Sequence, residues 1–221
     1  MFRPSHVVAG VLALTAAACS DTTSNFVINS AAVRLVNDTD TPLTVSSRGR
    51  TDTLNRRLVF GQSSTCLLVD LSTTTVPPLT VMNAVTGVSI TFTAPLAAGD
   101  NVIIFAFSDT LGQVQLNAIN NRFVPATNDA GLRFFNGVPR AGSLLMARNR
   151  VVLTPFIGVG SASPFVSVPI DSGRITFANA ATVVLDAGLM AFPQGQNSTV
   201  VVGPPASDTT VLLRFFTAQG C

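Results

Sequence analysis

The 221-residue sequence has no lysine, glutamate, tryptophan or tyrosine, and its one histidine is His6. Because His6 lies in a predicted leader, the rest of the chain cannot assemble Ser-His-Asp, Cys-His or Ser-Lys catalytic groups. Zinc and copper sites of the usual histidine and cysteine types are excluded as well. All basic residues are arginine, all acidic residues are aspartate, and the formal net charge is only +2. This charge gives no electrostatic basis for binding nucleic acid.

Residues that favour helices are also scarce. Lysine and glutamate supply the polar face of many exposed helices, so their absence disfavours helical structure. Valine, threonine, phenylalanine, serine, asparagine, glycine and proline are abundant instead, which is typical of strands and turns. Charged residues make up 11% of the chain and hydrophobic residues 47%, a balance that argues against disorder. The composition therefore predicts an all-β folded protein.

The beginning of the chain has the pattern of an export signal. Arg3 supplies a positive charge, residues 7–18 are mostly apolar, and small residues precede Cys19. The apolar run is shorter than the roughly 20 residues that a membrane-spanning helix needs. We therefore predict that residues 1–18 are a signal peptide.

The segment 14–19, Leu-Thr-Ala-Ala-Ala-Cys, resembles a bacterial lipobox. The resemblance implies cleavage before Cys19, lipidation of that cysteine and attachment of the chain to a membrane. Residues 19–30 would then form a lipidated tether, and Ser20 resembles the residue that accompanies outer-membrane sorting. The alternative is an ordinary signal cleaved near Ala18, in which Cys19 has no special role.

One strand-like segment occurs twice. Residues 31–37 are Ala-Ala-Val-Arg-Leu-Val-Asn, and residues 130–136, 99 positions later, are Ala-Gly-Leu-Arg-Phe-Phe-Asn. Five further matches follow in the same order: Gly61 with Gly160, 65–71 with 164–170, 79–84 with 175–180, 102–104 with 200–202, and 114–116 with 211–213. The ordered matches predict an internal duplication.

Each copy spans about 95 residues and contains several short apolar segments separated by turn residues, which is typical of an immunoglobulin-like sandwich. We therefore predict two tandem immunoglobulin-like antiparallel β-sandwich modules, residues 31–127 and 128–221. The boundary would lie near Asn128. The alternative is that the two copies interlock into one larger sheet structure.

The opening Ala-x-Val-Arg-x-x-Asn strand, the Leu-x-Ala-Gly turn at 96–99 and the tandem copies resemble the family called domain of unknown function 4397. The resemblance covers most of residues 31–215. It implies a secreted or lipid-anchored envelope protein of bacteria with β-rich repeats. The family's Ser-Pro-Asp-Ala-Pro run after the first strand is replaced here by other residues, at 38–42 and at 137–140. The resemblance implies no catalytic residues.

Two cysteines remain after the lipobox. Cys66 and Cys221 form an even pair in a chain predicted to enter an oxidising compartment. Cys66 aligns with Phe165, so the two cysteines belong to different copies. We predict a Cys66–Cys221 disulfide that joins the copies; the alternative is two unpaired thiols.

Few residues suggest a binding site. Asp38 and Asp40 could supply oxygen ligands to calcium, although a polar hairpin turn explains them more simply. The equivalent arginines Arg34 and Arg133 suit a solvated face or a structural pair with an aspartate better than a ligand site.

Two pairs of adjacent phenylalanines also stand out, at 134–135 and 215–216. They suit a sandwich core and a domain junction better than a sugar platform, because sugar sites favour tryptophan and tyrosine.

The sequence thus predicts a non-enzymatic, lipid-anchored protein of the cell envelope, in the outer membrane, with a structural, adhesive or protein-binding role. The alternative is a carbohydrate- or peptide-binding module that serves a surface enzyme or transporter. The expected partners are the membrane, reached through the lipid on Cys19, and an envelope protein or glycan. No cofactor, metal or catalytic residue is predicted.

Overall fold

A computed structural model describes residues 29–47, 57–71, 79–92, 95–204 and 213–221. The predicted signal peptide 1–18, Cys19 and most of the tether 19–30 lie outside the described residues. Within the described ranges the regular structure is all β, as the composition predicts. No helix in these ranges has the length and apolar character needed to cross a membrane.

The described residues form sixteen strands. In chain order these are β1 (Ser30–Asn37), β2 (Leu43–Ser47), β3 (Leu67–Asp70), β4 (Leu79–Asn83), β5 (Ser89–Phe92), β6 (Asn101–Ser108), β7 (Val114–Asn120), β8 (Asp129–Asn136), β9 (Leu145–Arg148), β10 (Val151–Val152), β11 (Ser161–Ala162), β12 (Val166–Pro169), β13 (Gly173–Ala178), β14 (Val183–Met190), β15 (Asn197–Gly203) and β16 (Arg214–Ala218).

Each half of the chain contributes two sheets. The first half, residues 31–127, has sheets in the order β3-β1-β6-β7 and β2-β4-β5. The second half, residues 128–221, has sheets in the order β11-β8-β15-β16, with β12 also on β8, and β10-β9-β13-β14. In the described residues each sheet takes its strands from one half only, so the halves do not interlock through strand pairing.

Two strand pairings correct the antiparallel prediction. Among the described strands, β1 with β6 and β8 with β15 pair in parallel, and the other pairings are antiparallel. An immunoglobulin sandwich has antiparallel sheets and a different strand order. Parallel neighbours need a crossover connection. Here the chain between β1 and β6 adds strands to the opposite sheet before it returns as β6. Strands in such sheets are apolar on both faces, and β6, β8 and β15 are buried nearly throughout.

The buried apolar side chains of the described residues form three clusters. Each cluster lies between two sheets, so the four sheets are stacked as four layers. One cluster lies between the two sheets of the first half, and a second between the two sheets of the second half. A third, the inter-half core, lies between sheet β3-β1-β6-β7 and the sheet of β8, β15 and β16. Its buried members are Val36, Ile103, Phe105, Phe135, Val201 and Ala218.

Matching polar contacts recur in both halves. The Asn37 amide donates to the carbonyl oxygen atoms of Thr41 and Leu58, both at 2.9 Å. The Asn136 amide, 99 positions later, donates to those of Gly142 and Ile157, at 2.8 and 2.9 Å. Each asparagine therefore holds the chain where it leaves the opening strand.

A second matching pair braces the opening strand itself. Ser64 Oγ accepts the main-chain N–H of Leu35, and Ser163 Oγ accepts that of Phe134, both at 3.0 Å. The two serines are also 99 residues apart. The repeat in the sequence therefore extends to side-chain contacts.

Candidate functional site: the interface between the two halves

The centre of the interface is aromatic. The ring of Phe105 stacks on that of Phe135 with centroids 4.3 Å apart, and Phe107 meets Phe135 edge-on at 5.7 Å. The adjacent residue Phe134 points the other way, into the core of the second half, where it meets Phe177 at 5.4 Å. Of this predicted pair, one residue thus lies in a sandwich core and the other at the junction.

The second predicted phenylalanine pair is divided differently. Phe216 packs edge-on against Phe60 of the first half, with centroids 5.3 Å apart. Phe215 is 38% exposed. The prediction of core or junction therefore holds for Phe216 and not for Phe215, because alternation along β16 turns Phe215 outward.

The contacts across the interface have approximate two-fold symmetry. Arg34 of the first half donates to the Gln219 carbonyl of the second at 3.0 Å. Arg133 of the second half donates to the Asn120 carbonyl of the first at 2.8 Å. Both the arginines and the acceptors are 99 positions apart. This exchange of equivalent contacts is what an isologous interface between two subunits produces.

Residues that are equivalent in the two halves also meet each other, as a two-fold axis requires. The Asp38 carboxylate lies against Gly137, and the Asn121 amide lies against Gly220. In each pair a Cβ on the glycine would overlap the partner side chain. The two contacts therefore mark the approximate axis.

One edge of the interface is closed by non-covalent contacts. Phe123 of the first half stacks on Phe165 of the second with centroids 5.1 Å apart, and the guanidinium of Arg133 lies 4.2 Å from the Phe165 centroid. Arg133 Nε also donates to Thr199 Oγ1 at 3.0 Å. Burial lowers the pKa of Arg133 to about 10, so the side chain stays charged at neutral pH.

The opposite edge is closed by a disulfide. Cys66 and Cys221 are bonded, with Cα atoms 5.6 Å apart, and both residues are exposed. This is the pairing that the sequence predicts. Arg34 NH2 lies 2.9 Å from Cys66 Sγ, in the place that Arg133 has beside Phe165. The two edges thus share their geometry and differ in their chemistry.

Arg34 and Arg133 differ in one side-chain hydrogen bond, because different residues lie opposite them in the parallel strand pairs. In the parallel pairs, Arg133 lies opposite Thr199 and Arg34 lies opposite Ile103. Thr199 offers a hydroxyl and Ile103 does not. Arg34 Nε is consequently buried without a hydrogen-bond partner among the described residues. Contrary to one prediction, neither arginine pairs with an aspartate of the described residues; their main-chain partners lie across the interface.

Asp38 is fully buried, although a polar turn is predicted there. Neither carboxylate oxygen has a hydrogen-bond partner in the described part of the chain, and the group lies against Gly137 and Gly203. Burial raises the pKa of Asp38 well above its ordinary value; the nearby positive charge of Arg214 opposes the rise, and the negative charge of Asp40 adds to it.

Arg214 ties the second half to the loop that carries Asp38. Its guanidinium pairs with the Asp40 carboxylate and lies 3.6 Å from the centroid of Phe60. Its Nε donates to the Pro204 carbonyl at 3.0 Å. Asp40 is therefore engaged with an arginine. In the described residues no group of three histidine, cysteine or acidic side chains could hold a metal ion.

Sequence reasoning names Asp38 as a turn residue but misses its burial, and it misses Arg214 and the glycines at the axis. The available signal was the offset of 99 residues, which pairs position 38 with 137 and position 121 with 220. The offset shows which positions are equivalent, and it does not show that equivalent positions touch. That requires the two-fold arrangement of the halves.

Comparison with known proteins adds no relative. No family model matches the chain, and no curated protein is similar enough in sequence to be a homologue.

Proposed function

We propose that the protein is a non-enzymatic, lipid-anchored component of the bacterial cell envelope, in the outer membrane, with a structural, adhesive or protein-binding role. The observation that carries the proposal is the interface, in which an apolar core and the Cys66–Cys221 disulfide hold two sandwiches together. Disulfides persist in oxidising compartments outside the cytoplasm. The bridge therefore agrees with export, which the predicted signal peptide 1–18 and lipidation at Cys19 would provide.

The conspicuous charged residues of the interface support a structural role. Arg34, Arg133 and Arg214 each contact the opposite half. Buried or partly buried arginines engaged in this way contribute orientation and specificity to an interface. Their contacts account for them without a substrate.

The duplication belongs to the same proposal. The two halves would be immunoglobulin-like sandwich modules, 31–127 and 128–221, each modified by one parallel pairing. The recurrent contacts of Asn37 and Asn136 support descent from one ancestral module. The resemblance to domain of unknown function 4397 fits this arrangement of tandem β-rich repeats.

The test is the intact mass of the native protein, purified from separated inner and outer membranes, before and after reduction. The expected result is a chain that begins at Cys19, carries acyl groups, is found in the outer membrane and gains two hydrogen masses on reduction. A Cys19→Ser variant is the control and should be released from the membrane. An unacylated native chain would refute the lipid anchor.

A cleft in the first half favours the alternative of a carbohydrate- or peptide-binding module. It has a volume of about 510 Å³ and opens between the β4–β5 hairpin and the β6–β7 turn. Its lining combines apolar side chains with the amide side chains of Asn83, Gln113 and Gln115. Ligand sites commonly have this mixture of apolar walls and a few polar groups.

A matched pair of variants tests this alternative. Val88 lines the cleft and is 62% exposed, so Val88→Arg should obstruct the opening without disturbing the core. Val124 is 90% exposed elsewhere, and Val124→Arg is the control. Binding in a glycan or peptide array that the first variant abolishes and the second retains would establish the module; binding equally retained by both would reject the cleft.

A further inference from the structure

The Cys66–Cys221 disulfide has an environment suited to reaction with thiols. Exposed disulfides are more readily reduced than buried ones, and exchange is faster when the departing sulfur is stabilised as a thiolate. Both cysteines are exposed. Arg34 NH2 lies 2.9 Å from Cys66 Sγ, and neighbouring arginines favour the thiolate form of cysteine. The two sulfurs therefore differ as leaving groups.

We propose that Cys221 is a thiol-exchange site at which a low-molecular-weight or protein thiol forms a mixed disulfide, with Cys66 as the leaving group. The thiolate of the incoming molecule attacks Cys221 Sγ, and a new S–S bond forms there. The Cys66–Cys221 bond breaks, and its electron pair leaves with Cys66 as a thiolate beside Arg34. The incoming sulfur is oxidised to the disulfide level and Cys66 is reduced, so the step needs no further oxidant or reductant.

Arg34 is placed to respond to the new charge. Its NH1 is held by the Gln219 carbonyl at 3.0 Å, which keeps the guanidinium at the disulfide. Its buried Nε has no partner among the described residues. The negative charge that develops on Cys66 would give this arginine an ion pair that the described residues of the oxidised protein do not offer. Arg34 is thus a positioning and stabilising residue for the exchange.

Exchange should leave the fold intact. The opposite edge is held by Phe123, Phe165 and Arg133, and the inter-half core lies between the edges. The main-chain N–H of Cys221 also donates to Asn101 Oδ1 at 3.0 Å. Cys221 consequently stays near Cys66 after exchange, so a second reaction can close the bridge again.

The first experiment maps the adduct. The oxidised full chain is treated with reduced glutathione under native conditions, quenched with acid and analysed by peptide mass spectrometry. Glutathione on Cys221 with Cys66 as a thiol is expected. An adduct mainly on Cys66, or no adduct without denaturant, would overturn the proposal.

The second experiment tests Arg34. Arg34→Gln is expected to slow exchange by roughly three- to tenfold, while Arg34→Lys restores most of the rate because it keeps the charge. Arg122→Gln is the control, since Arg122 is exposed and occupies the position equivalent to Cys221. Equal rates in the Arg34→Gln and Arg122→Gln variants would overturn the role of Arg34.

The pH dependence of alkylation in the wild-type protein separates stabilisation of the thiolate by charge from a loss of structure in a variant. In the reduced wild-type protein, alkylation of Cys66 by iodoacetamide should reach half its maximal rate at a lower pH than alkylation of Cys221. Identical profiles for the two cysteines would contradict the proposal even if the Arg34→Gln variant failed to fold.

Discussion

Two adjacent phenylalanines allow the inter-half core to be tested separately from the core of one sandwich. Phe134 and Phe135 are both fully buried. Phe134 packs inside the second half and Phe135 packs between the halves. We expect Phe134→Ala to destabilise mainly the second half and Phe135→Ala to destabilise both halves, because the inter-half core contributes to the stability of each.

The two substitutions should lower the free energy of unfolding by amounts in the same range. Replacing a buried phenylalanine by alanine costs about 3–5 kcal/mol. Phe135 loses two ring contacts, with Phe105 and Phe107, and Phe134 loses one, with Phe177. Because an aromatic pair adds about 0.5–1.5 kcal/mol beyond area burial, Phe135→Ala should lie towards the upper end of the range.

The assay is native-state hydrogen exchange at increasing urea, with the disulfide intact. The amides of β4 and β13 serve as reporters, since each strand lies in the outer sheet of its own half. Phe134→Ala should lower the opening free energy of β13 much more than that of β4. Phe135→Ala should lower both by comparable amounts. The reasoning would be refuted if Phe135→Ala lowered the opening free energy of β13 alone, or of neither strand. The inter-half core would then not couple the halves.

Three further predictions concern the disulfide and the charged groups. Cys66→Ser opens a bridge between residues 155 positions apart and should lower the free energy of unfolding by about 5 kcal/mol in the chain-entropy model; a change below about 1 kcal/mol in urea titrations would contradict it. Burial raises the pKa of Asp38 in the folded protein above its ordinary value of 3.8. Its contribution to stability is therefore complete below that value and is lost as pH rises through the raised pKa. Asp38→Asn should flatten the pH dependence of the urea midpoint, and an unchanged pH profile would contradict this. Arg133→Gln removes charged hydrogen bonds worth about 1.5–3 kcal/mol each, whereas Arg122→Gln on the surface should cost under about 1 kcal/mol; equal thermal midpoints would contradict the role of Arg133.

The pattern of apolar residues predicts strands well and their partners poorly. Residues 102–107 are continuously apolar, and the sequence leaves open whether they form a central or an edge strand. The structure makes them the middle of β6, buried on both faces by two different cores. Periodicity reports which faces are buried. It carries no information on which strand is the neighbour, so the parallel pairing of β1 with β6 could not be predicted from it.

The candidate site was accessible to sequence reasoning only where a chemical rule applied. An even number of cysteines in an exported chain predicts the Cys66–Cys221 bridge. The offset of 99 residues makes Arg34 and Arg133 equivalent, and alternation along a strand turns each away from the apolar neighbours that enter the sandwich core. Their burial between the halves could not be inferred, because the face that looks outward from one module is covered only when the second module docks on it.

The two-fold axis also explains why the loops after β1 and β8 diverge in sequence. At an axis, identical modules would place identical residues in contact, so two aspartates or two glycines would meet at positions 38 and 137. Two aspartates would bring like charges together in a buried site, which strongly opposes the ionisation of both. One aspartate against one glycine fits, because the carboxylate of Asp38 occupies the space that a side chain at 137 would need. This contact therefore fits two halves that differ at the position better than two copies that both carry aspartate there.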